Sequence, residues 1–486
     1  MIISRYFTLP RLSPHKLYNS LTSTTIKLHH LPSFPNHRLL LLQQRQFISH
    51  LTTMPLDKSK LIIKSCRDLP TARFPEYIKS PHNRLYNIVW SENPPSNVFI
   101  VKKPWEPSVR DATVELINRL HVQYPCVNVI VDENVADELA NETTCIDDKL
   151  DSSVKHVVYT GTTKEIIPKT DLLITLGGDG TILRGVSLFS NVQVPPVLSF
   201  AMGTLRFLLP FDFKNCMQCF ALVYENRAQA LHRNRLECHV VRNADPKTCE
   251  RAEKEEVEVA LVRNKKRLYV EVESQEDALQ ADDKVVTVEK QEMIHAMNDI
   301  TIHRGSCPNL TSLDIYIDNE FFTTTYADGL IFSTPTGSTA YSLSAGGSIT
   351  HPAVACILLT PICPRSLSFR PLILPCTSDI MVRLSKNNRS SFIELTVDGI
   401  SQKDLHPGDE LHITSETVVV ANDKIKKQKR NNGESVSGSN GDGIEYNDKN
   451  GIWCVATNQN QWSKDLNSLL GFNSSFRGQK SKKLHL

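Results

Sequence analysis

Gly177-Gly178-Asp179-Gly180-Thr181 sets one carboxylate among three glycines, directly after the apolar run Leu172-Leu173-Ile174-Thr175-Leu176 and ahead of Ile182-Leu183-Arg184-Gly185-Val186. Glycines at a strand-to-helix junction let backbone approach a phosphate without Cβ interference, and the free N–H groups of the next helix favour an anion there. A carboxylate is not a ligand for that anion. Phosphoryl transfer asks two other jobs of such a group, holding Mg²⁺ or taking a proton from an attacking hydroxyl, and Asp179 suits either. A tight connection with no ligand would use the same residue types.

Further groups with chemistry follow in order: Asn298-Asp299, Asp328-Gly329, Thr334-Pro335-Thr336-Gly337-Ser338-Thr339-Ala340-Tyr341-Ser342-Leu343-Ser344, and Thr360-Pro361-Ile362-Cys363-Pro364-Arg365-Ser366-Leu367-Ser368-Phe369-Arg370-Pro371. Taken singly, Asn298-Asp299 reads as a turn, Asp328-Gly329 and Asp398-Gly399 as hairpin turns, and the Ser/Thr-rich stretch as a loop. That stretch also mixes hydroxyls with a small Ala340 and the aromatic Tyr341, which suits hydrogen bonding and stacking of a base. Arg365 and Arg370 suit phosphates or structural salt bridges equally well.

Together and in this order, these motifs resemble the NAD kinase family, in its fungal mitochondrial NADH kinase branch. The likeness runs from about Val98 through Leu469-Leu470-Gly471-Phe472-Asn473-Ser474-Ser475-Phe476. The resemblance implies transfer of the ATP γ-phosphate to the 2′-hydroxyl of the adenosine ribose of NADH or NAD, with Mg²⁺ bound alongside the nucleotide. It implies Asp179 as proton acceptor, with Gly177, Gly178, Gly180 and Thr181 at the nucleotide. Asn298 and Asp299 match an Asn-Glu pair on ribose hydroxyls, here with the acid one methylene shorter. Asp328, Thr336, Thr339, Ala340, Tyr341 and Ser344 match positions lining the dinucleotide site. It also implies a homo-oligomer, since members are dimeric or tetrameric with subunits contributing to one another's sites.

Positioning these residues calls for two kinds of element. Val98-Phe99-Ile100-Val101, Val127 to Val131, His156 to Tyr159, Leu172 to Leu176 and Pro196 to Phe200 read as strands. Val114, Ile117 and Leu120 give Asp111 to Tyr124 helical spacing. Such alternation predicts a Rossmann-like parallel sheet over 97–235, with the ligand beyond the strands' C-terminal ends. After Leu236 the period shortens to two, as in Leu313 to Asp318 and Phe321 to Tyr326, which predicts a β-rich sandwich over 236–421. Segment 245–291, dense in Glu and Lys, reads as a surface insertion, and 422–450 as a disordered one. The remaining assignments are an extension over 57–96 and a C-terminal segment, 451–486, that packs back on the first domain.

Composition narrows the partners. The chain has 486 residues, 40% hydrophobic and 22% charged, with a net charge of +2, so it lacks the basic field that nucleic-acid binding would need. No apolar run approaches the ~18 residues of a membrane span, so no membrane partner is expected. The twelve cysteines have no disulfide-framework spacing. Cys216-Met217-Gln218-Cys219 lacks the other ligands of a zinc site and reads as helix. Residues 1–56 hold Arg5, Arg11, Lys16, Lys27, Arg38 and Arg45 and no acidic residue, the composition of a mitochondrial transit peptide, which points to the matrix.

A second position departs from the family pattern. Where the family has Leu-Gly-Phe-Leu, this chain has Leu205-Arg206-Phe207-Leu208. Arginine at a positive φ would cost about 1–2 kcal/mol, and on that basis Arg206→Gly is expected to raise activity. Two competing readings follow: a lipid kinase of the diacylglycerol or sphingosine type, which also uses a Gly-Gly-Asp-Gly loop, and an NADH-binding sensor impaired by Arg206.

Overall fold

The computed structural model describes residues 61–141, 149–151, 155–203, 207–242, 293–385, 388–416, 418–420, 444–446 and 450–470. The transit-peptide segment, the insertion 245–291 and Arg206 lie outside the described residues. Among the described residues no helix is long and apolar enough to cross a membrane.

The N-terminal half is built on an 11-stranded mixed sheet. Its parallel part runs Leu61–Ser65, His156–Thr160, Asn128–Val131, Asn97–Lys102, Leu172–Gly177, Val197–Ala201 and Ile452–Ala456. Antiparallel strands Gln229–Arg233, Tyr86–Val89 and Glu76–Lys79 extend it beyond Ile452–Ala456. The sheet therefore reaches past residues 97–235 on both sides, taking three strands from 61–89 and one from the C-terminal segment. Asn97–Lys102 and Leu172–Gly177 are buried along their whole length, as central parallel strands covered on both faces must be.

Helix Pro107–Gln123 has Pro at its first turn, where no N–H is needed, and turns Val109, Val114, Ile117 and Leu120 into the core. It ends at Tyr124, which precedes Pro125 and so disfavours helical geometry. Cys216 and Cys219 are buried in helix Cys216–Tyr224, in agreement with the helical reading of that motif.

The C-terminal half is a sandwich of two six-stranded antiparallel sheets. One contains Leu236–Val241 and the hairpin Thr311–Ile317/Glu320–Ala327, and the other contains Asp299–His303, Gly329–Ser333 and Cys356–Ile362. Leu236, Leu313 and Ile315 from the first sheet meet Ile300, Ile302 and Phe332 from the second in one core. Within the segment expected to be disordered, Ile444–Tyr446 forms a strand that pairs with Val418–Val420. The halves are joined by polar contacts as well as packing: buried Arg235 clamps Glu416 through Nε and NH2, both at 2.6 Å, and donates to Phe189 O at 3.2 Å.

Candidate active site

Gly177 ends a central strand and Asp179 begins helix Asp179–Ser187, so the glycine loop occupies the C-terminal edge of the parallel sheet. Each glycine has its own reason. A Cβ on Gly177 would come within 2.3 Å of Thr181 Oγ1, so the loop's own closure excludes a side chain there. Thr181 Oγ1 in turn accepts the Gly178 N–H at 3.3 Å. Gly185 lets the helix lie against the sheet, since its Cβ would already touch Thr175 Cγ2 at 3.3 Å. A Cβ on Gly178 or Gly180 would meet nothing within 4 Å. Protein packing does not require those two glycines; what they leave open is the approach to the loop from outside.

Asn298 and Asp299 sit at the start of strand Asp299–His303, both buried. Their backbone is pinned from two directions. Asp398 sends its carboxylate under them and accepts the N–H groups of Met297, Asn298 and Asp299 at 2.8, 2.7 and 3.1 Å. From the other side Thr334 N donates to Asn298 O at 2.9 Å, and Gly337 packs so close that a Cβ would lie 2.1 Å from that oxygen. The turn Thr336–Thr339 and the Asn298-Asp299 pair are therefore one packed unit. Met297 is buried in the same core cluster as Ile182 and Val186 of the Asp179 helix, so this unit and the glycine loop rest on one core.

The stretch read as a Ser/Thr loop is ordered into two short helical turns, Thr336–Thr339 and Tyr341–Ser344. Its hydroxyls are used inward and outward. Ser338 Oγ donates to Pro335 O and accepts Thr350 N, and Ser342 Oγ bonds Thr360 Oγ1 at 3.0 Å. Thr336 Oγ1 accepts from Arg233 NH1 at 3.1 Å, which leaves its own proton to donate. Thr339 and Ala340 are half-buried, and Tyr341 and Ser344 are exposed.

Asp328 joins strand Glu320–Ala327 of one sheet to Gly329–Ser333 of the other, so the Asp328-Gly329 pair is a crossover rather than a hairpin turn. Gly329 is required there because a Cβ would fall 2.0 Å from Ile302 O. The Asp328 carboxylate accepts from Arg304 Nε at 2.6 Å. Asp398 and Gly399, at φ 50° and 76°, do form the hairpin turn before Ile400–Ser401. Arg365 lies with its guanidinium 4.5 Å from the centroid of the Tyr326 ring, and Arg370 is exposed.

Electrostatics couple the two carboxylates of the unit. Burial, then the adjacent Asp398 carboxylate, push Asp299 up to about 7, against a hydrogen bond from Thr301. Asp398 is also raised by burial, opposed by the three N–H groups it accepts. The Tyr341 phenol is raised first by burial, then by the charges of Cys363, Asp299 and Asp328. Among the described residues no cluster of three or more His, Cys, Asp or Glu side chains has metal-binding geometry. Four contributors were not legible as site residues in the sequence: Asp398, Met297, Arg233 and Arg304. Asp398 carried a visible signal, the Asp-Gly pair, but nothing in the sequence marks its carboxylate as buried.

Comparisons with known proteins agree with this layout. Residues 98–228 match the family model "ATP-NAD kinase N-terminal domain", and residues 297–420 match "ATP-NAD kinase C-terminal domain". The chain is 44% identical over 435 residues to the mitochondrial NADH kinase of Saccharomyces cerevisiae, covering 88% of this chain and 93% of that one. It is 36% identical over 334 residues to the mitochondrial NADH kinase of Schizosaccharomyces pombe, covering 68% and 71%. Among solved structures, yeast NADH kinase complexed with NADH aligns with a TM-score of 0.64 at 43% identity, over 86% of this chain and 99% of that one.

Proposed function

This chain belongs to the NAD kinase family, as an enzyme that phosphorylates NADH or NAD at the 2′ position with ATP, and we propose that Asp179 is the base that takes the 2′-hydroxyl proton. A ribose hydroxyl is almost un-ionised at neutral pH, so attack on phosphorus needs a carboxylate within ~3 Å to accept the proton as the bond forms. Asp179 stands where the sheet's C-terminal edge meets a helix N-terminus, beside two glycines that leave the approach open. Asn298 and Asp299 would hold the ribose hydroxyls, and Thr336, Thr339, Ala340, Tyr341, Ser344 and Asp328 would line the rest of the dinucleotide site.

The observation that carries this reading is the packed unit of Asn298-Asp299 with the Thr336 turn, which rests through Met297 on the same core as the Asp179 helix. A ribose held by the first two would thereby be fixed relative to the base. Mg²⁺ would come with the ATP, held by its phosphates, and would offset charge developing on the leaving group, which leaves the Asp179 carboxylate free to accept the proton. The chain would act in the mitochondrial matrix, with NADH preferred over NAD, as a homo-oligomer; the two mitochondrial NADH kinases among its relatives support the compartment and the substrate. The match of both halves to NAD kinase domains decides against the lipid-kinase reading. The impaired-sensor reading rests on Arg206. Measuring NADPH and NADP⁺ formation side by side with ATP tests the substrate assignment: faster NADPH formation is expected, and equal or faster NADP⁺ formation would refute the preference.

A further inference from the structure

The glycine loop lacks a full positive charge of its own. Helix N–H groups supply only about half an elementary charge, whereas the triphosphate of ATP is polyanionic. Three cations stand on the Asp179 helix or at the end of the neighbouring strand Asn97–Lys102. Lys102, at the end of the strand beside Leu172–Gly177, is almost fully buried and committed to Glu138 at 2.6 Å. Arg184, on the Asp179 helix, faces Asp132 at 3.6 Å. Lys103 differs from both. Its backbone N–H donates to Leu176 O at 2.8 Å, and its Cβ packs on the loop, 3.0 Å from where a Cβ on Gly177 would stand. Its side chain is 54% exposed and, among the described residues, is held by Glu106 three residues on, at 3.3 Å and itself 43% exposed. Such a surface pair is weak and gives way readily to a stronger anion.

We propose that Lys103 binds the phosphates of ATP over the Gly177–Thr181 loop, exchanging Glu106 for the triphosphate when the nucleotide arrives. The geometry gives it a fixed root and a free head. The root is fixed by the backbone bond to Leu176 and by its approach to Gly177, so the ammonium has a defined origin at the first glycine of the loop, whose next glycines leave the approach open. The head sits on a four-carbon stem with three donors and serves as a mobile point charge. The inference rests on the reading that the glycine loop takes ATP, and it adds the cation which that loop lacks.

Steady-state kinetics of K103M, K103R and E106Q test it, together with equilibrium binding of a non-hydrolysable ATP analogue to the same proteins. K103M is expected to raise KM for ATP and weaken analogue binding roughly tenfold or more, the scale of one charge-assisted contact, while KM for NADH stays within about twofold. K103R should recover part of the loss, and E106Q should leave KM for ATP unchanged or lower it, because it frees the ammonium. An unchanged KM for ATP in K103M, or an equal rise for both substrates, overturns the proposal. If the wild-type protein binds the analogue but forms no phosphorylated dinucleotide, the catalytic reading falls, and the ratio of analogue affinities still decides the role of Lys103.

Discussion

The Asp398 carboxylate accepts the Asn298 backbone N–H at 2.7 Å, and with its bonds to Met297 and Asp299 it holds three successive residues of the candidate ribose-binding segment. Hydrogen bonds to a charged acceptor contribute roughly 1.5–3 kcal/mol each. Asp398→Asn keeps the shape but puts an NH₂ where an oxygen accepted an N–H. The variant is expected to fold with a lowered melting temperature and to show a rise in KM for NADH of about tenfold, with KM for ATP little changed. A variant with wild-type KM for NADH would show that the clamp does not matter to the site.

The glycines separate packing from access. Gly177→Ala drives a Cβ into Thr181 Oγ1 and should cost about 1–2 kcal/mol of stability, read as a lower denaturation midpoint. Gly180→Ala meets nothing in the protein and replaces a poor helix former in the first turn of the Asp179 helix. Its stability should be unchanged or higher by up to ~1 kcal/mol, yet nucleotide binding should weaken. Wild-type binding in Gly180→Ala would mean that the open face is not the ligand's.

Asp299 sets a pH dependence. Its carboxyl rises from an ordinary 3.8 to about 7 through burial and the Asp398 charge, so between these values the folded protein holds a proton that the unfolded chain has lost. That penalty on folding is full above pH 7 and is relieved as the pH falls toward 4. Asp299→Asn should therefore stabilise the protein at pH 8, with a gain that shrinks toward pH 4. If the ionised form accepts ribose hydroxyls, kcat/KM for NADH in the wild type should drop as pH falls through about 7. A flat wild-type profile from pH 8 to pH 6 would contradict the role of Asp299.

A second titration involves residues outside the candidate site. His121 and His156 face each other through Nδ1 at 3.1 Å, and burial, then the His156 ring, lower His121 from 6.5 to about 4. The unfolded chain takes up that proton first, so stability is lost as pH falls from 6.5 to 4. Replacing His121 with Leu should flatten this slope in chemical denaturation, whatever it does to stability at pH 7. An unchanged slope would place the acid sensitivity elsewhere.

Five parallel strands, Asn97–Lys102, Asn128–Val131, His156–Thr160, Leu172–Gly177 and Val197–Ala201, could be read because each is a short apolar run bounded by polar turns, and the hairpin Thr311–Ile317/Glu320–Ala327 because its side chains alternate; the parallel strands Leu61–Ser65 and Ile452–Ala456 were not read. Strands Glu76–Lys79 and Tyr86–Val89 were missed: each is four residues long with one buried side chain, so they have no hydrophobic period to detect. The loop Gly177–Thr181 was legible as a strand-to-helix junction, since its composition is dictated locally. The clamp by Asp398 was not, because it spans a hundred residues and depends on burial that only the sandwich creates. Asp328 misled for a related reason. An Asp-Gly pair looks the same in a hairpin as in a crossover, and only pairing of the flanking strands with different sheets tells them apart.

The role of Asp179 as acceptor of the ribose 2′-hydroxyl proton is open to a decisive comparison: purified wild-type and Asp179→Asn proteins, assayed for NADPH formation from NADH with saturating ATP and Mg²⁺. With the base removed, kcat is expected to fall by roughly 10²–10⁴-fold, the usual worth of a general base, while NADH binding measured at equilibrium stays within about threefold. An Asp179→Asn enzyme that turns over at close to the wild-type rate would contradict it.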